Sequence, residues 1–197
     1  VGRLDVDKCV DRVIQAAALA MAQTDTHLLI VGDGTQKPAL IKLCHSLGIA
    51  DRVHFPGYVS MTGGLPELYR TANLFITASE IETQGIVLLE AAASGLPLVA
   101  VRATCIPEIV HAGRNGYLAE CGDIYGLGNA VSVLLKDPRK AISMGKASRA
   151  LAEEHKFNFT VDTHEQLYRQ MIMERRTQRL DAVRHNFWEY VKGWRLF

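Results

Sequence analysis

The stretch "NLFITASEIETQGIVLLEAAASGLPLVAV", Asn73–Val101, decides the fold. An apolar run, Asn73–Ser79, delivers the chain to a polar loop. A helix-length run, Ile86–Gly95, then closes on glycine, and a second apolar run, Pro97–Val101, follows at once. Neither apolar run alternates with polar residues, so each reads as a strand buried on both faces. Strand, helix and strand in this order make a βαβ unit, whose strands lie parallel.

The alternation extends in both directions. Upstream, Val10–Gln23 has helical spacing and much alanine, and His27–Gly34 is an apolar strand ending in a Gly-rich turn. Lys37–Gly48 is a helix, with Pro38 in its first turn and Gly48 past its end. Arg52–Gly57 reads as a short strand and Leu65–Ala72 as a short helix. Downstream come a short helix, Ile106–Gly113, and a turn and strand, Asn115–Glu120. Helices follow at Ile124–Leu135, Arg139–Glu154 and Thr160–Arg176. The fold class is therefore α/β, a doubly wound parallel sheet of Rossmann-like layout. One domain is expected over 1–173, with a basic and aromatic tail over 174–197.

Bulk properties narrow the function. With 48% apolar and 22% charged residues the chain is no disordered segment. A net charge of +1 implies no broad basic surface, so no nucleic-acid partner is expected. Cys9, Cys44, Cys105 and Cys121 form no C-x-x-C pair and read as reduced thiols of a cytoplasmic protein. No apolar run reaches the ~20 residues that cross a bilayer. Val1-Gly2-Arg3 reads as the tail of a strand and its turn, as in a fragment whose N-terminal half is missing.

Doubly wound sheets bind ligands at the carboxyl ends of their strands. The first such end carries Gly2 and Arg3, with Lys8 just before a helix. Close backbone approach, a guanidinium fork, an ammonium and a helix N-terminus would suit a diphosphate. Two solvated basic residues on a loop would look the same. The second end carries Gly32-Asp33-Gly34, a bare G-x-G that serves equally as a tight turn. The fourth carries Glu82-Thr83-Gln84-Gly85, opening a helix at Ile86, with Glu90 eight residues beyond Glu82. Backbone N–H groups of Gly85, Ile86 and Val87 could hold an anion there. Glu82 could accept hydrogen bonds from hydroxyls, and Glu90 could take a vicinal diol such as a ribose. A capping acid and an exposed helix-edge residue are the plainer reading of the two glutamates.

In order, "VGRL" with Lys8, "LLIVGDG", "RVHFPGYV", "LPELYRTANLFITAS", "ETQGIVLLEAAASGLPLVA" and "IPEIVHAGRNGYL" resemble the C-terminal half of a GT-B glycosyltransferase, closest to the retaining glycosyltransferase family 4. The likeness covers Val1 to about Met173, and Glu82 and Glu90 meet the family's E-x7-E signature. The resemblance implies that this domain holds a UDP- or GDP-linked sugar donor, while a missing N-terminal domain holds the acceptor. It implies that Arg3 and Lys8 neutralise the leaving diphosphate and Glu82 contacts the donor sugar. Thr83 would line the sugar, and Gly85, Ile86 and Val87 would offer N–H groups. Glu90 would bind the ribose, Gly2 and Gly32 would approach the donor, and Tyr58 and Val59 would flank the base. It further implies front-face transfer of a hexose with retention, aided by the leaving phosphate, with no metal and no cofactor.

Two departures stand out. Cys9 occupies a place where the family often has glycine, and Cys105 and Ile106 stand where many members have a glycine pair, with Thr104 offering a hydroxyl instead. "ETQG" is similar to members that glycosylate lipids. The tail, with Phe187, Trp188, Tyr190, Trp194 and Phe197, suits either packing on the missing domain or peripheral contact with the inner face of a membrane. Competing readings are a non-catalytic nucleotide-sugar-binding subunit and a GT-B sugar-nucleotide epimerase.

Overall fold

A computed structural model describes residues 1–155 and 161–175. The chain divides into two compact units, Val1–Glu154 and His155–Phe197. The division thus lies earlier than the 173/174 boundary read from the sequence, at the end of a long helix. In the second unit, 161–175 are helical and exposed. The tail reading over 176–197 lies outside the described residues.

The first unit alternates strands and helices as the sequence implies. α1 (Val10–Met21) leads to β1 (Leu28–Val31), α2 (Lys37–Ser46) to β2 (Val53–Gly57), and α3 (Leu65–Thr71) to β3 (Phe75–Ile76). α4 (Ile86–Ala93), β4 (Leu98–Val101), α5 (Ile106–Ile109) and β5 (Gly116–Ala119) follow, and α6 (Ile124–Lys136) and α7 (Pro138–Glu154) complete the unit. All strand pairs are parallel. β1 pairs with β2, and β3, β4 and β5 form a second sheet in that order. Every residue of β4 is fully buried, which explains its unbroken apolar run. Burying Leu98, Val99 and Val101 contributes about 1.5–3 kcal/mol for each side chain.

Helices join the two sheets. The alanines of α1 have a packing reason: Ala16, Ala17 and Ala20 are buried, and α1 packs on α6. A side chain at Gly128 of α6 would come within 2.9 Å of the Ala16 carbonyl, so only small residues permit this approach. Asp123 caps α6, accepting the Gly126 N–H at 2.8 Å. Buried Asn115 ties the turn before β5, accepting from the His111 N–H at 2.7 Å and donating to the Ile109 carbonyl at 2.9 Å. Between β1 and β3 lies a cavity of about 550 Å³ that runs the length of both strands, from Thr26 and Asn73 past Ile30, Val31, Phe75 and Ile76 to Arg3 and Glu82.

Three differences from the sequence reading stand out, the first with a local cause. The strand expected over Asn73–Ser79 contracts to Phe75–Ile76, because the Thr77 hydroxyl takes the Ser79 N–H at 3.3 Å and turns the chain. α5 ends at Ile109, and single 3-10 turns, unsignalled by periodicity, occur at Val6–Lys8, Ala50–Arg52 and Met61–Gly63.

Candidate functional site

The candidate residues gather where the strands end. The first turn is stitched to β1: the Gly2 N–H donates to the Val31 carbonyl at 3.0 Å and the Leu4 N–H to the Asp33 carbonyl at 2.9 Å. Gly32, at φ 138, makes this possible, since a Cβ there would lie 1.8 Å from the Gly2 carbonyl oxygen. Gly32 therefore brings two turns together. Its N–H donates to the Gly57 carbonyl at 2.8 Å, which places Tyr58, 78% exposed, and Val59 just beyond that end of β2.

From this turn the cations diverge. The Arg3 guanidinium rests on Asp5 at 2.9 Å and Asp7 at 3.7 Å and is largely exposed. Lys8 turns inward and donates to Glu82 Oε2 at 3.0 Å and to the Ile81 carbonyl at 3.4 Å. A second ion pair lies beside it, from Arg12 of α1 to Glu80. That hydrogen bond raises the Arg12 pKa further above its ordinary value. Three Lys protons and five guanidinium N–H groups exceed these partners, so both cations keep donors for an anion.

The loop carrying Glu82 is held on every side. The Ser79 hydroxyl donates to the Ile81 carbonyl at 3.0 Å. The Glu82 N–H donates to Thr104 Oγ1 at 3.1 Å, and the Cys105 thiol donates to the Glu82 carbonyl at 3.2 Å. Burial, then the nearby Glu82 carboxylate, push the Cys105 thiol pKa up, keeping it a donor at neutral pH. Gly85 starts α4 at φ 62, where a Cβ would meet Ile109 at 2.3 Å. The first intrahelical bonds run from Leu88 and Leu89 to the Gly85 carbonyl, so the N–H groups of Ile86 and Val87 belong to the uncapped first turn. Gly2, Arg3, Lys8, Glu82, Thr83, Ile86 and Val87 all line the cavity between β1 and β3, and Gly32, Tyr58, Val59, Gly85 and Glu90 do not.

Glu90 is placed differently. It lies one turn into α4, and its Oε2 accepts the Tyr69 hydroxyl of α3 at 2.9 Å. Burial, then the Glu90 charge and this hydrogen bond, hold the phenol pKa well above its usual range. A glutamate inside "IVLLEAAA" is thus explained structurally: it faces a buried phenol across α3 and α4.

Sequence reasoning overlooked Arg12 and Tyr69. Arg12 stands in the first turn of α1, and its pairing with Glu80, 68 positions away, has no local signal. The backbone between β4 and α5 takes a particular form. The backbone demand for glycine does not fall at Cys105 and Ile106: Cys105 has φ −79 and Ile106 begins α5. The left-handed residue is Thr104, at φ 42, because the chain must reverse there between β4 and α5. Cys9 is left-handed too, at φ 46, a conformation that favours the glycine many relatives of this pattern carry. Among the described residues no cluster of three or more His, Cys, Asp or Glu could hold a metal ion, and no helix is long and apolar enough to cross a membrane.

The family model of "Glycosyl transferases group 1" matches residues 1–151. Among curated proteins, N-acetyl-alpha-D-glucosaminyl L-malate synthase of Bacillus anthracis is 35% identical over 168 residues, covering 85% of this chain. The chain spans only 43% of that synthase's length. Among solved structures, Anabaena HepE in complex with UDP is 27% identical with a TM-score of 0.73, over 86% of this chain and 46% of that one. The C-terminal domain of a group 1 glycosyl transferase, LpcC of Francisella tularensis, shares the fold at 24% identity and a TM-score of 0.74, over 80% of this chain and 84% of that domain. The parallel α/β architecture is that of the GT-B enzymes, and the chain belongs to the group 1 glycosyl transferases.

Proposed function

We propose that this chain is the C-terminal, donor-binding half of a retaining glycosyltransferase, allied to glycosyltransferase family 4. It takes a hexose from a UDP- or GDP-linked donor for an acceptor, a lipid among the candidates, that an N-terminal domain would hold. The observation that carries the reading is the Lys8–Glu82 pair, 3.0 Å apart, lining the same cavity as Arg3 and the uncapped first turn of α4. Departure of the nucleoside diphosphate concentrates negative charge on its terminal phosphate. Lys8, Arg3 and the Ile86 and Val87 N–H groups are fixed before that charge develops, so they stabilise the transition state more than the bound donor. With two cations and a helix N-terminus in these places, the reaction calls for no metal ion. Glu82, its backbone held, accepts from sugar hydroxyls, and Glu90 takes the ribose. HepE, similar in fold and sequence, was solved with UDP, which supports a nucleotide donor of this type.

Calorimetric titration of the chain with UDP, GDP, ADP and their sugars tests the reading. Glu90→Ala should weaken free nucleotide and nucleotide sugar alike, by about 1.5–3 kcal/mol for a lost charged hydrogen bond. Glu82→Ala should spare the nucleotide and weaken only the nucleotide sugar. Equal losses for both ligands in the Glu82 variant, or no binding by a folded chain at millimolar concentration, refute it.

A further inference from the structure

We infer that Thr104 and Cys105 are positioning residues for the Glu82 carboxylate, clamping its peptide from the β4 side of the site. The inference rests on the donor-binding reading above and deepens it. Thr104 is exposed and sits at φ 42, so burial gives no return for a backbone conformation that disfavours a side chain. Such conformations persist where the surroundings enforce them, and they concentrate at functional sites. Here the enforced residue delivers its hydroxyl to the Glu82 N–H at 3.1 Å, and the next residue delivers its thiol to the Glu82 carbonyl at 3.2 Å.

Both backbone polar groups of one glutamate are therefore bound by two consecutive side chains. A glycine pair would accommodate the turn equally well and supply neither contact. Lys8 holds the same residue from the other direction, through its carboxylate. With the peptide and the carboxylate both fixed, the Glu82 oxygens cannot swing away by a peptide flip. Their direction relative to the Ile86 and Val87 N–H groups is set before ligand arrives. A carboxylate so fixed selects among donors by the position of one sugar hydroxyl. It meets the nucleoside diphosphate only through Lys8, whose ammonium it positions.

The test uses the full chain, with UDP and UDP-glucose as probes, in wild type, Thr104→Val, Thr104→Ser and Cys105→Ala. Thr104→Val should lose roughly three- to tenfold in affinity for UDP-glucose, the range of one net hydrogen bond, with UDP affinity unchanged. Thr104→Ser, which keeps the hydroxyl, should restore it, and Cys105→Ala should show a smaller loss of the same selectivity. Hydrogen exchange of the Glu82 amide needs no ligand. It should quicken at least tenfold in Thr104→Val and stay slow in Thr104→Ser, while the amides of β4 exchange alike in both variants. Parallel loss of UDP and UDP-glucose affinity, or failure of serine to rescue, overturns the positioning role. An unchanged Glu82 exchange rate in Thr104→Val overturns the clamp itself. If wild type binds neither UDP nor UDP-glucose nor the guanosine and adenosine counterparts, the donor reading fails and the sugar role with it, while the exchange arm still decides whether the clamp exists.

Discussion

Replacing Cys9 by glycine should stabilise the protein relative to replacing it by alanine, the reverse of the usual order. Cys9 caps the start of α1 at φ 46, ψ 42. A residue with a Cβ pays roughly 1–2 kcal/mol for this left-handed conformation, and glycine escapes that cost. Glycine in turn gains freedom in the unfolded chain, which costs about 0.4–1 kcal/mol relative to alanine. Subtracting one from the other leaves the glycine variant ahead by about 0.5–1 kcal/mol. Both variants lose the same thiol, whose contacts with the Val6 and Asp7 carbonyls are long, at 3.7 and 3.9 Å, so the comparison isolates the backbone. Urea unfolding followed by far-UV circular dichroism measures the difference. At about 2–4 °C per kcal/mol for a unit of this size, the glycine variant should melt about 1–4 °C higher. An alanine variant as stable as the glycine variant would show that the left-handed conformation carries no strain.

Four further outcomes follow from the geometry. Tyr69→Phe should lower unfolding free energy by about 1.5–3 kcal/mol in urea titration, since it removes the buried donor to the Glu90 carboxylate. Gly116→Ala should cost about 1–3 kcal/mol or more in the same assay, because its Cβ would lie 1.9 Å from the Leu98 carbonyl oxygen inside the β4–β5 ladder. Among the thiols, exposed Cys121 should react with iodoacetamide ahead of Cys105 and Cys44, whose pKa values burial raises, as mass spectrometry of timed quenches would show. The raised pKa of Cys105 also fixes a pH trend. The native state holds that proton more tightly than the unfolded chain. The stabilisation is therefore complete below the ordinary value of 9.0 and declines as pH climbs past it. The stability advantage of wild type over Cys105→Ala should shrink between pH 7 and 10, and a constant difference would contradict the assignment.

Much of the architecture was legible because each element carries its own local signal. β4 shows as an unbroken apolar run, α2 as a proline-to-glycine interval, and α1 as an alanine-rich helix whose small residues meet Gly128. The site was legible residue by residue but not as a set of contacts. Lys8 and Glu82 are 74 positions apart, and nothing in either neighbourhood announces that they touch. Arg12 and Glu80 are hidden for the same reason, and Tyr69 reads as one more apolar residue until its hydroxyl is seen against Glu90. Backbone handedness was half legible. A departure from glycine was visible near both Cys9 and the start of α5, yet the position demanding it, Thr104, emerges only from the course of the chain between β4 and Ile106.

The two sheets meet the site from different sides. Arg3 and Lys8 belong to a turn sewn by its main chain onto the end of β1, whereas Glu80 and Glu82 hang from the end of β3. No ladder joins β1 to β3 among the described residues; their ends are fastened by two electrostatic rivets, Lys8–Glu82 and Arg12–Glu80. Lys8 and Arg12 thus tie the two strand ends together through side chains where the backbones do not pair. Both pairs are only partly exposed, so salt screens them less than it would a pair on the open surface.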